Sequence, residues 1–286
     1  MKFITFANMK GGTGKTTVCF NIAGKLAMMG KKVLVCDCDP QCNMSYNFGF
    51  DIFHNPEIPL IDEETQEEIM VYTIADIFED VDTPPEKVVL KNQLEGLENL
   101  DIIPSTMYLY GTEEELFLGS DRERRLENYL ERHADFFETY DYVFMDSGPN
   151  MGIVNRNAFL VSDSIFIILD PDINSALGAN VFYELWEKKR KNLRGSRDNI
   201  ACVIVNNIER TKVSSDLIDY LHVHPIFKDM MIDHAVTHST RFKEATSQKT
   251  VVHMMNAKGS AAKKSQQAAV ESVDALVEEL FQRGLL

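Results

Sequence analysis

The sequence lacks any apolar stretch of membrane-spanning length. Runs such as Ile165–Leu169 fall far below the ~20 residues that a transmembrane helix needs. The leading Met1–Ala7 is too short for a secretory signal and soon meets Lys10 with no small-residue cleavage site behind it, so a cytoplasmic location is expected. Cysteine is scarce, five in 286 residues, and an odd number reads as reduced thiols rather than a disulfide framework. There is no internal repeat, no low-complexity tract and no Gly/Ser linker. Positive charge is also short, with 29 Lys+Arg against 44 Asp+Glu and a net charge of −15.

That deficit is unevenly spread. Residues 1–150 hold 12 Lys+Arg and 28 Asp+Glu, net −16, whereas residues 151–286 hold 17 and 16, net +1. The second half carries the cluster Lys188–Lys191, with Arg194 and Arg197 close behind. An acidic chain of this kind can still present a basic face on one side. What is present in quantity is ordinary for a globular protein: 44% hydrophobic and 26% charged residues exclude the disordered and fibrous classes. The chain is long enough to bury a large core without staples.

Strand-length apolar runs occur at Lys2–Ala7, Val33–Cys36, Leu100–Ile103, Tyr142–Met145, Ser164–Leu169 and Ala201–Val205. Helical patterns lie between them: Val18, Ile22, Leu26 and Met29 recur at helical spacing, followed by a closing Gly30. Similar patterns cover Arg122–Phe137, Ala179–Leu193 and Ala261–Arg283. The alternation predicts an α/β fold, one doubly wound and mostly parallel sheet with helices on both faces, as a single domain over 1–286. The acid-rich stretch from about 51 to 70 is the least regular part and reads as an acidic surface excursion.

The most specific signal is Lys10-Gly11-Gly12-Thr13-Gly14-Lys15-Thr16-Thr17 between the first strand and the first helix. Such a loop aims backbone N–H groups at phosphate oxygens, and its glycines let the chain approach them closely. Lys15 would contact the β- and γ-phosphates and the Thr16 hydroxyl would ligate Mg²⁺. The position where the generic motif has its first glycine is Met9, so the match is to the variant K-G-G-x-G-K-T. The expected ligand is a nucleoside triphosphate, held through Gly11, Gly12, Thr13, Gly14, Lys15, Thr16 and Thr17.

With that loop the chain resembles the ParA-type partition ATPases of the wider ParA/MinD group, a P-loop NTPase family. The resemblance implies that Lys10 crosses a nucleotide-sandwich homodimer to the partner's phosphates. Val33-Leu34-Val35-Cys36-Asp37-Cys38-Asp39-Pro40-Gln41 is similar to the family's second motif, with Cys42 where glycine is usual. By that likeness Asp39 orients the attacking water and Asp37 supports the Mg²⁺ shell. Asp146 closes a buried strand as the Walker B acid that holds Mg²⁺ through water; Ser147-Gly148-Pro149-Asn150 follows, with glycine replacing the first proline of D-x-P-P-S. Further likeness lies in Leu100–Ser105, Pro171–Gly178, Val203–Asn207 and Arg241–Ala245, and it implies that Asn206 faces adenine.

The implied activity is ATP hydrolysis, weak without a partner, in plasmid or chromosome segregation. The implied partners are a second copy of the chain, a ParB-type centromere-binding protein, and DNA bound without sequence preference by a nucleoid-associated dimer. Arg241, Lys243, Arg210 and Lys212 are the first candidates for DNA phosphates, with Lys258, Lys263 and Lys264 beside them. With its phosphate loop beginning at residue 10, the chain is expected to be of the small type without a preceding winged-helix domain. A MinD-like positioning switch acting on proteins or membrane without DNA is the alternative. Membrane binding is disfavoured because the last helix carries Asp274, Glu278 and Glu279 with Arg283 as its cation. A metal-cluster carrier is disfavoured by the Cys36-x-Cys38-x₃-Cys42 spacing, which lacks paired C-x₂-C ligands.

Overall fold

The computed structural model describes residues 1–50, 60–61, 68–117, 121–193 and 197–286. Its eight strands are β1 (Lys2–Ala7), β2 (Val33–Cys38), β3 (Leu60–Ile61), β4 (Glu68–Ile69), β5 (Leu100–Ile103), β6 (Tyr142–Ser147), β7 (Ser164–Leu169) and β8 (Ile200–Val205). Six of them form one sheet in the order β5-β2-β6-β1-β7-β8, and every pairing in it is parallel. β3 and β4 pair antiparallel on their own. The rest of the expected acidic excursion lies largely outside the described residues.

Alternation within the strands explains why both faces of the sheet are covered. In β1, Ile4 and Phe6 enter one core with Val33, Val35, Phe144 and Phe166. Ala7 enters the opposite side with Ile165 and Ile167, where Leu34, Cys36 and Val143 extend the apolar layer. Phe6 meets Phe144 and Phe166 edge-on at centroid distances of 5.2 and 5.6 Å, contacts worth about 0.5–1.5 kcal/mol each beyond area burial. Thr5, the polar residue between them, is buried and bonded to Ser162 Oγ at 2.5 Å. Strands buried on both faces are what an all-parallel sheet requires.

The helix Lys15–Met28 lies on the first face and ends where expected, with Gly30 at φ +82°. The helix Ser260–Gln282 packs against it. Gly24 lets the segment after the helix Thr240–Ser247 approach the helix Lys15–Met28, because a Cβ there would fall 2.4 Å from Val251 Cγ1. The periodic stretch read as one helix over Arg122–Phe137 is two, Arg125–Arg132 and Ala134–Phe137, broken at His133 with φ −112° and ψ 30°. All five cysteines are buried and unbridged, as small core residues.

Candidate active site

β1 stands between β6 and β7, so the chain leaving it enters the crevice where strand order reverses, the ligand position of open α/β sheets. The loop from Asn8 to Gly14 turns there through two left-handed glycines, Gly12 at φ +79° and Gly14 at φ +84°. Gly14 is required twice over. A Cβ on it would fall 2.0 Å from Asn206 Nδ2, the amide that donates to Thr13 O at 3.0 Å. Gly14 also begins the helix Lys15–Met28 without any side-chain cap, which leaves the first-turn N–H groups to an incoming anion.

Carboxylates converge on this loop from the ends of two neighbouring strands. Asp37 of β2 and Asp146 of β6 are register partners, and both are buried. Thr16 Oγ1 donates to Asp146 Oδ2 at 2.7 Å, while the buried Asp146 Oδ1 has no hydrogen-bond partner. Asp37 Oδ2 accepts from Ser45 N at 2.8 Å and Ser45 Oγ at 2.7 Å, and its Oδ1 accepts from Asp39 N at 3.2 Å. Ser45 Oγ in turn accepts from Ser105 N at 2.8 Å. Asp37 is therefore already committed to the protein, and any part it takes in a metal shell is indirect.

Burial raises the Asp37 carboxyl to about 7 even though the Ser45 donors oppose it. Burial, with Asp37 adding to it, drives Asp146 well above the ordinary carboxylate range. Burial also raises Asp39, against the pull of the Gln41 amide and Lys15. Lys15 is itself buried, which lowers its pKa against the attraction of Asp146 and Asp39. Its Nζ lies 3.4 Å from Lys10 O.

Asp39 accepts from Gln41 N at 3.0 Å and lies against Gly148, where a Cβ would sit 3.3 Å from the carboxylate. Cys42, at the position where glycine was expected, keeps a left-handed turn at φ +54°. A cavity of about 570 Å³ opens over these groups, lined by Gly11–Gly12, Gly14–Thr17, Asp39, Gln41, Asn43, Tyr46, Asn47, Pro149 and Thr246.

The structure thus brings together Gly11, Gly12, Gly14, Lys15, Thr16, Thr17, Asp39 and Asp146. It places two expected residues otherwise. Asn206 directs its amide to the loop backbone, and Lys10 turns back within its own chain to Asp170 at 3.3 Å and Asp172 at 2.5 Å. Asn8 holds the Lys10 amide at 2.9 Å, and Gly178 makes room for it, since a Cβ there would lie 3.1 Å from Lys10 N.

Sequence reasoning missed Asp170, Asp172, Asn8, Ser45 and Tyr46. Asp172 had a signal, because it opens the helix Ile173–Arg190 as its N-cap.

The basic candidates are not among the residues lining that cavity and lie around the starts of the helices Lys212–Val223, Thr240–Ser247 and Ser260–Gln282. Ser239 and Ser265 bring the helices Thr240–Ser247 and Ser260–Gln282 together at 3.2 Å, and the Ile208↔Thr237 bridge places the loop carrying Arg210 beside them. Arg210, Lys212, Lys243, Lys258, Lys263 and Lys264 are exposed. Arg241 is not: its side chain is 19% exposed and ion-paired with Glu244.

A family model described as an AAA domain matches residues 1–200. The sporulation initiation inhibitor protein Soj of Bacillus subtilis is 30% identical over 246 residues, spanning 86% of this chain and 88% of that protein. The chain belongs to the ParA-type partition ATPases. The chromosome partitioning protein ParA of Caulobacter vibrioides is 28% identical over 248 residues, 86% of this chain and 84% of that one. An ATP complex of Cyanothece McdA has the same fold, with a TM-score of 0.75 at 21% identity over 98% of this chain and 96% of the other. Among the described residues of this ParA-type chain, no helix is long and apolar enough to cross a membrane.

Proposed function

We propose that this protein is an ATP-driven DNA segregation switch. It would bind ATP on the loop Gly11–Thr17, close into a homodimer, hold DNA without sequence preference, and let go after hydrolysis. The observation that carries this reading is the meeting of Lys15, Thr16, Asp39 and Asp146 at the uncapped start of one helix.

The orphaned, buried Asp146 Oδ1 beside the Thr16 hydroxyl fits an oxygen-ligated cation. No group of three His, Cys, Asp or Glu among the described residues could hold a metal alone, which suits Mg²⁺, an ion that usually borrows substrate phosphates and water. Thr16 and Asp146 would hold it, with Asp37 behind them. Mg²⁺ would there neutralise charge on the β- and γ-phosphates.

The protein groups do the rest by position. Lys15, whose ammonium donates to Lys10 O and feels the charge of Asp146 and Asp39, would turn to phosphate oxygens. Asp39, braced by the Gln41 amide, would orient the attacking water rather than act as a strong base, because phosphoryl transfer depends on geometry. Lys10 would leave Asp170 and Asp172 to reach the partner subunit's nucleotide. A slow intrinsic rate is expected, raised by a ParB-type partner bound at the centromere.

The test measures ATP hydrolysis and ATP binding in parallel. Lys15→Ala should abolish both. Asp39→Ala should keep binding while turnover falls about 10²-fold; unchanged hydrolysis in both variants defeats the reading. Failure to bind duplex DNA in either the ATP or the ADP state would leave the ATP switch and favour positioning through proteins alone.

A further inference from the structure

Of the two lysines in the phosphate loop, Lys15 lines the cavity and Lys10 does not. The Lys10 ammonium sits instead in a cradle formed by the chain that leaves β7. Asp172 Oδ2 accepts from Lys10 Nζ at 2.5 Å, and both carboxylate oxygens of Asp170 lie 3.3 Å from it. Partial burial works to lower the Lys10 pKa, yet Asp172 and Asp170 together raise it. The bond to Lys10 in turn lowers Asp172.

The cradle is braced from several sides. Asn8 Oδ1 accepts from Lys10 N at 2.9 Å, and its Nδ2 donates to Ile168 O at 2.8 Å and to Ser175 O at 3.4 Å. Ser175 Oγ accepts from Asp170 N at 3.1 Å. Asp172 Oδ1 accepts from Asn174 N at 3.2 Å, capping the helix Ile173–Arg190, which leaves Oδ2 to the lysine. Gly178 of that helix admits the loop, since a Cβ there would fall 2.6 Å from Asn8 Oδ1 and 3.2 Å from Lys10 Cβ. Asp172 and the Asp170 backbone are thus placed by partners other than Lys10. The Lys10 side chain is 29% exposed, and an ion pair this open to water is weak enough to release its cation.

We propose that Asp170 and Asp172 form an intramolecular latch that holds Lys10 back and sets the threshold for ATP-dependent pairing of two chains, an inference that rests on the reading of Lys10 given above. An ammonium extended to the partner subunit's nucleotide has left both carboxylates, so the acids and the phosphates compete for it. The dimer forms from the released fraction alone, and its apparent affinity falls with that fraction. A symmetric dimer needs both lysines released, so the fraction enters squared. A triphosphate offers more charge than two carboxylates, and the latch restrains pairing until one is present.

The test is sedimentation of the full chain with Mg²⁺ and an ATP analogue that resists hydrolysis, over a range of protein concentrations. Asparagine keeps the shape of both acids and the N-cap at position 172. Asp170→Asn combined with Asp172→Asn should tighten the dimer about tenfold, from about threefold per chain, and Asp172→Asn alone should give part of that gain. In a Lys10→Ala background the same two changes should do nothing, leaving a dimer as weak as Lys10→Ala alone gives. The latch is overturned if the double neutralisation leaves pairing unchanged or weakens it. It is equally overturned if pairing tightens as much without Lys10, which would make the acids a general repulsion of the nucleotide. If the parent does not pair, or Lys10→Ala pairs as well as the parent, Lys10 does not bridge the subunits, and that reading falls together with this inference.

Discussion

At the scale of single residues, the site is held by positions that tolerate no other side chain. Gly14 combines a left-handed φ with an Asn206 amide that would lie 2.0 Å from any Cβ. Gly14→Ala should therefore cost about 1–2 kcal/mol in backbone strain and displace the Asn206–Thr13 bond, with ATP binding falling at least tenfold by calorimetry. Adding Asn206→Ala removes the clash but not the strain, so the double variant should recover only part of the affinity. Full recovery would mean that the left-handed turn is not what the glycine supplies. The loop itself was legible in the sequence because its residues are contiguous. The partners of Lys10 were not, since Asp170 and Asp172 lie 160 and 162 positions away and nothing local marks them as a pair.

At the scale of elements, the six strands of the main sheet were legible because each is a short, mainly apolar run set between helical patterns. β2 and β6 extend past their apolar runs, to Cys38 and Ser147, and the additional residues include Asp37 and Asp146. The helix break at His133 was not legible, because apolar periodicity continues through Phe136 and Phe137 while the backbone turns.

Nor could the sequence show how the last helix is fastened. Asp274 binds Lys25 Nζ at 2.6 Å, joining the helices Lys15–Met28 and Ser260–Gln282, and His253 Nε2 at 2.9 Å, tying the segment before the last helix to it through a buried imidazole. Burial, with Lys25 adding to it, lowers the His253 pKa despite the pull of Asp274. The unfolded chain, titrating near ~6.5, then binds more protons than the folded one just below that pH. This contribution to stability is intact above about pH 6.5 and is lost as pH falls toward the lower folded value.

Asp37, raised to about 7, acts with the opposite sign, but equally in a His253 variant. His253→Gln keeps a donor for Asp274 and cannot titrate. Urea midpoints for the parent should drop more between pH 7.5 and 5 than those of His253→Gln; parallel curves would remove the imidazole from the account.

At the scale of the whole molecule, the question is how a chain of net charge −15 could hold a polyanion. The sequence showed that the acidity belongs to the first half, and the fold gathers exposed cations of the second half around Ser239 and Ser265. What the sequence could not show is which of those cations are uncommitted. Arg241, the residue that family likeness favours, is tied to Glu244 and only 19% exposed, whereas Lys258, Lys263 and Lys264 are exposed.

Neutralising phosphates releases counterions, so each true contact adds about 0.9 to the slope of log K against log salt. Measured by anisotropy on a non-specific duplex with ATP and Mg²⁺, Lys258→Ala, Lys263→Ala and Lys264→Ala should each lower that slope by about 0.9. Arg241→Ala should move it less and act instead on the packing of its short helix, seen as a lower melting temperature. A larger loss of slope from Arg241→Ala than from the lysines would mean that the Glu244 pair opens on DNA and that the binding face is centred on the helix Thr240–Ser247. Equal slopes for all four variants would place the DNA elsewhere on the molecule.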